Sequence, residues 1–226
     1  MRNPLRMLLL VVLGVGVLAA CAAKVPTLST DASRRTHDGL YPIDNASFDS
    51  VWARADLDLA PYDRIMLEGV GIQYRPVAGG AARGSRTAFP LDAAQKQRLA
   101  EEMSSAFATE FGKSQRFAIT DTAGPDVLLI RGGLLDVVSS VPPQTAGRVD
   151  IYLESVGSAT LVLEIVDAQS GTVLVRALDR RAAERRGLPM RSSPVTNWSE
   201  VRQLAHFWAR TLRERLDELD ERLTLD

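Results

Sequence analysis

"LVLEIVDAQSGTVLVRALDRRA", residues 161–182, decides the fold. Leu161, Leu163 and Ile165 alternate with Thr160, Val162 and Glu164, the period of a half-buried strand. A second apolar run follows "DAQSGT", in which the Ser170–Gly171 pair supplies a turn. The stretch therefore predicts an antiparallel hairpin, with strands near 158–167 and 172–184.

Three more strands are expected upstream. "RIMLEGVGIQY" at 64–74 alternates, with Ile65 and Leu67 pointing one way and Met66 and Glu68 the other. A short strand is expected at 116–120 and a long one at 127–140, bent around Gly132–Gly133. Between them Leu99, Met103, Phe107 and Phe111 recur every four residues, which predicts a helix over 91–112 that ends at Gly112. A second amphipathic helix is expected over 197–223, opened by Asn197 with Glu200 three residues on. Its apolar face carries Val201, Ala205, Trp208, Leu212 and Leu216. Before residue 64 the chain reads as irregular and packed across the body. A short helix over 45–53 fits there, because Asn45 can cap it and Phe48 and Trp52 lie four apart. The fold class is α+β: a mostly antiparallel sheet of about five strands, with the two main helices packed on one face.

The N-terminus has a different character. Arg2 and Arg6 precede an apolar run from Met7 to Leu18, then small residues, then Cys21, which is the only cysteine among 226 residues. Basic, apolar and small zones in that order form a secretory signal. A run of about a dozen residues falls short of the ~20 that span a hydrocarbon core. "LAAC", with Leu18, Ala19 and Ala20 before Cys21, resembles the bacterial lipobox, in which the cysteine is lipidated and becomes the first mature residue. A lone cysteine can form no internal disulfide. One acyl chain binds membranes reversibly, at about 0.8 kcal/mol per buried methylene, whereas several chains, palmitate among them, hold stably. In the bacterial sorting rule that the lipobox resemblance implies, an aspartate after the cysteine favours the inner membrane; Ala22 stands there, so the expected location is the outer membrane of a Gram-negative envelope, facing the periplasm. The expected layout is a signal peptide over 1–20, a lipidated flexible tether over 21–39 and one α+β domain over 40–226. The tether's root-mean-square span is roughly 20–25 Å.

Composition excludes several classes. At 46% hydrophobic and 24% charged, the chain suits a folded body. Its formal charge is −1, and loss of Arg2 and Arg6 leaves 25 basic against 28 acidic side chains, which gives no footprint for nucleic acid. Gly79 and Gly84 have the spacing of a phosphate loop. Ser85 and Arg86 stand where its lysine and hydroxyl belong, so no nucleotide is expected. No serine has the glycine neighbours of a nucleophile elbow. His206 lies on the polar side of the last helix, with Arg202 and Arg210 a turn away, and is read as solvent-exposed. Asp56, Asp58 and Asp63 lack the pattern of a calcium loop and are read as surface carboxylates. The chain calls for no metal and no cofactor.

One charge feature survives. Arg176, Arg180, Arg181, Arg185 and Arg186 crowd the end of the last strand and its loop. They form either a solvated edge that discourages strand pairing or an anion site for lipid-headgroup or lipopolysaccharide phosphates. Alternation would send Arg180 and Arg181 to opposite faces.

The stretches at 39–70 and 161–182, together with the lipobox, resemble the bacterial outer-membrane lipoprotein family DUF3313. The resemblance is carried by Trp52, Asp58, Tyr62 and Arg64 in that order and by the hairpin Asp167 to Gly171. It implies an outer-membrane lipoprotein with no established activity, and so assigns no catalytic residue. The functional expectation is a non-enzymatic envelope lipoprotein that binds a protein partner or assists assembly or transport. The alternative is a carrier of lipid or lipopolysaccharide with an apolar groove against the arginine-rich strand.

Overall fold

The computed structural model describes residues 25–76, 88–142, 150–184 and 189–223. The strands are β1 (Thr27–Leu28), β2 (Tyr41–Asp44), β3 (Ser50–Ala53), β4 (Arg64–Leu67), β5 (Gly71–Tyr74), β6 (Ala118–Ile119), β7 (Val127–Ser139), β8 (Tyr152–Leu153), β9 (Gly157–Asp167), β10 (Val173–Ala183) and β11 (Met190–Arg191). The helices are α1 (Ala93–Phe111) and α2 (Pro194–Leu223).

Nine strands form the main sheet, in the order β1-β2-β3-β10-β9-β7-β4-β6, with β5 also paired to β7. The hairpin forms as its alternation requires. β9 and β10 pair antiparallel from Val166↔Val173 to Gly157↔Ala183. At the turn, the Asp167 carboxylate accepts from the Gln169 and Ser170 amides, and Gly171 takes φ 72, a conformation that favours glycine. β7 pairs antiparallel with β9, whereas β4 and β5 pair parallel with β7 and β6 parallel with β4.

The sheet is thus mixed, mostly antiparallel, and larger than the five strands expected. The additional strands have two to four residues, too few for a period of two to declare itself. The helix expected over 45–53 is replaced by a turn and β3. Asn45 has φ 60, so it sits in the left-handed region of a turn instead of capping a helix. Trp52 and Ala53 pair with Arg176 and Val175 of β10. The strand expected over 64–74 is two strands separated by Glu68–Val70.

β7 keeps its register through Gly132–Gly133. The irregularity lies between Leu135 and Val138, where Asp136 has φ 57. Gly132 serves a close approach instead: a Cβ there would stand 2.4 Å from the Val162 carbonyl oxygen. Within the segment read as a tether, β1 pairs with β2 (Thr27↔Asp44, Leu28↔Ile43), so the folded body begins before residue 40.

Both helices pack on one face of the sheet. Leu99, Met103 and Phe107 of α1, and Ala205, Trp208 and Leu212 of α2, share a core with Ile130, Leu134, Leu161 and Leu163. The contacts Arg98–Trp198, Glu102–Arg202 and Glu110–His206 advance along both helices together, so α1 and α2 run parallel.

α1 opens on a reciprocal capping box between Asp92 and Gln95. α2 begins a turn earlier than expected. Ser193 and Thr196 each accept from the other's amide, and Pro194 occupies the first turn, where its missing N–H costs nothing. No helix among the described residues is long and apolar enough to cross a membrane.

Candidate functional site

Between the helices and the sheet the layers do not close completely. A cavity of about 1240 Å³ opens there. Its floor is apolar: Leu99 and Met103 of α1, Leu134 of β7, Ala159 of β9, and Leu204 and Trp208 of α2. Its mouth lies at the N-terminal ends of both helices, where Asp92, Gln95, Ser193 and Asn197 face it, beside Asp150 and Arg191. The β8–β11 ribbon closes one side, with Arg191 paired to Asp150 at 2.7 Å. Asn197, expected to cap α2, instead donates to Ser192 Oγ at 3.0 Å on this rim. Tyr152 and Val195 next to the rim are 61% and 80% exposed.

A buried polar cluster fixes α2 against the sheet. Asp179 of β10 is 1% exposed and accepts from Trp208 Nε1 at 2.7 Å, Arg181 Nε at 2.5 Å and the Asp49 amide at 3.1 Å. Such a carboxylate is tolerated because three donors replace its water. The sequence carries no local sign of this cluster, because its members come from β10, α2 and the turn before β3.

The arginines of β10 are dispersed. Arg180 points outward, with Nη1 3.6 Å from Asp136. Arg181 turns to the helix side and lies over the Phe207 ring at 4.4 Å. Arg176 is clasped by Asp38 and Glu164 on the outer face. Neither Arg180 nor Arg181 lines the cavity. Arg185 and Arg186, the 79–86 loop, and Leu18, Ala19, Ala20 and Cys21 lie outside the described residues.

His206 is half-buried and paired, where full solvent exposure was expected. Its Nδ1 stands 2.8 Å from Glu110 Oε1, because α1 lies alongside the polar flank of α2. Burial pushes the Glu110 carboxyl up, but hydrogen bonds from Lys113 and His206 outweigh it and hold the group below the usual range. Asp56, Asp58 and Asp63 are exposed.

Three of the residues that carry the family resemblance, Tyr62, Arg64 and Asp167, tie separate parts of the chain together. Tyr62 donates to Asp167 Oδ2 at 2.7 Å, fastening the chain before β4 to the hairpin turn. Burial first, and this bond second, push the Tyr62 hydroxyl up to about 12. Arg64 binds Asp126 through both its Nε and Nη2.

Several solved structures are similar to the chain. A PelC dodecamer from Paraburkholderia phytofirmans is 12% identical, over 71% of this chain and 96% of that one, with a TM-score of 0.35. Protein XCC0632 from Xanthomonas campestris is 11% identical, over 73% and 89%, with a TM-score of 0.44. A putative neuraminyllactose-binding hemagglutinin homolog from Helicobacter pylori is 8% identical, over 69% and 84%, with a TM-score of 0.34. No curated protein matches this chain. The family model described as "Protein of unknown function (DUF3313)" matches residues 31–212, and the chain belongs to that family.

Proposed function

We propose that the chain is a non-enzymatic lipoprotein, acylated at Cys21 and facing the periplasm from the outer membrane, that assists envelope assembly or transport by holding an apolar ligand inside its body. The observation that carries this reading is the cavity of about 1240 Å³ between helices and sheet. Ligand sites are concave, mostly apolar and edged by a few polar groups, and run to about 300–1,000 Å³ for drug-sized molecules. This one has that character and exceeds that size. The lipobox at Leu18–Cys21 supports the anchored location. A protein partner suits the same reading, because the exposed Tyr152 and Val195 offer an apolar contact beside the mouth.

Cys21→Ser chain, exported and purified without detergent, tests both parts. The variant is expected to appear as a released or an unprocessed form, and native mass spectrometry of the released form is expected to find an apolar ligand. Val201→Trp, which fills the cavity from α2, should lower that occupancy severalfold while circular dichroism stays native. Cys21→Ser protein that is processed and retained at the membrane like the parent would overturn the anchoring. Purely ligand-free protein that takes up nothing from added lipid would overturn the binding role.

A further inference from the structure

Along both helices the polar residues of the cavity lining gather at one end. On α1 the lining passes from Asp92 and Gln95 to Leu99 and Met103, and on α2 from Ser193 and Asn197 to Leu204 and Trp208. The two helices are parallel, so their polar ends coincide at the mouth. Along α1, Asp92 to Met103 is eleven residues, about 16 Å at 1.5 Å per residue. Half of a ~30 Å hydrocarbon core is about 15 Å, the depth that one lipid's tails occupy in a leaflet.

The mouth carries both signs of charge. Arg191, paired with Asp150 at 2.7 Å, suits a phosphate, and taking one up frees the carboxylate beside it. Asp92 and Asp150 suit an ammonium group. A purely anionic head would meet two carboxylates there.

We propose, resting on the binding role above, that the occupant is a zwitterionic membrane phospholipid held tail first, with its acyl chain ends against Leu134, Ala159 and Trp208 and its headgroup at the mouth between Arg191, Asp150 and Asp92. The ligand thereby keeps its head in water while its tails exchange one apolar surround for another. Release needs no chemical step.

Tryptophan fluorescence tests the orientation. Trp198 and Trp208 both line the cavity, ten residues or about 15 Å apart along α2, with Trp198 nearer the mouth. Trp52 lies on β3, so Trp52→Phe removes the signal that does not report on the cavity. In Trp52→Phe/Trp198→Phe chain, only Trp208 emits. Phosphatidylethanolamine brominated near the chain end, supplied from vesicles, should quench Trp208 at least twofold, and the same lipid brominated near the carbonyl should leave it unchanged. In Trp52→Phe chain, which keeps Trp198, the carbonyl-proximal bromine should quench. Native mass spectrometry should show several times more phosphatidylethanolamine than phosphatidylglycerol bound.

Stronger quenching of Trp208 by the carbonyl-proximal bromine, or quenching without position dependence, overturns the tail-first arrangement. Equal or greater uptake of phosphatidylglycerol overturns the zwitterionic preference. No quenching by either lipid, with an apolar ligand still seen on the purified protein, overturns the phospholipid assignment and leaves the binding role standing. No quenching and no ligand removes both.

Discussion

Tyr62 and Asp167 stand 105 positions apart and meet in one hydrogen bond. Each was visible in the sequence as part of a recurring pattern, but their pairing was not, because nothing in a linear spacing says which loop a phenol reaches. Tyr62→Phe removes a hydrogen bond to a charged group, which is worth roughly 1.5–3 kcal/mol. Denaturant unfolding should show a loss in that range, with the denaturant slope unchanged. The pH dependence has a definite sign. The folded Tyr62 pKa is raised above the ordinary 10, so its contribution is complete below pH 10 and is lost as pH rises through about 12. An ultraviolet titration should show one phenol ionising late in the native protein, and Tyr62→Phe should abolish that late step. Asp179 teaches a similar lesson. Its partners Trp208, Arg181 and the Asp49 amide meet only when the strand, helix and turn come together.

Among the elements, the long strands and both helices were legible because each holds enough residues for a period to repeat. The β9–β10 hairpin, with its turn chemistry and eleven-residue strands, is the clearest case. The start of α2 is ambiguous in sequence, because "SSPVTNWSE" contains two overlapping opening signals. Pro194 decides between them, since a proline is well placed in a helix's first turn and poorly placed elsewhere. Ser193→Ala should therefore cost about 1 kcal/mol. Asn197→Ala should cost less and act at the cavity rim, through its bond to Ser192. Thermal melts of the two variants compare the positions directly; a larger loss from Asn197→Ala would contradict the assignment of the cap. β2 and β3 escaped notice because four residues cannot show alternation, and their pairing depends on a distant partner in β10.

For the whole molecule, the two-layer plan followed from two amphipathic helices and a set of strands, each with one apolar side to bury. The cavity did not follow. It is bounded by α1, α2, β7 and β9, and a gap between layers leaves no mark on any one of them. The ion pairs on the outer face are likewise a property of the assembled sheet. Asp38 is lowered to about 2, chiefly by the Thr36 hydroxyl and then by Arg176. Burial pushes Glu164 up, yet Arg176 and Arg131 hold it below its ordinary value. Carboxyls lowered by folding contribute stability that is present above their unfolded pKa near 4 and lost as pH falls through the folded values. The melting temperature should accordingly fall between about pH 4 and 2. Asp38→Asn should lower it at pH 7 and converge on the parent near pH 2, as calorimetry across that range can check.

The small pairing of β1 with β2 has a larger consequence for how such a protein works at a surface. With Cys21 as the proposed anchor, Thr27 is only six residues away, which at full extension is at most about 20 Å of chain. The sheet edge is then moored, and the body can swivel but cannot cross to an opposing membrane. Cargo would change hands at the bilayer where the protein is berthed, and anything farther away would have to come to it.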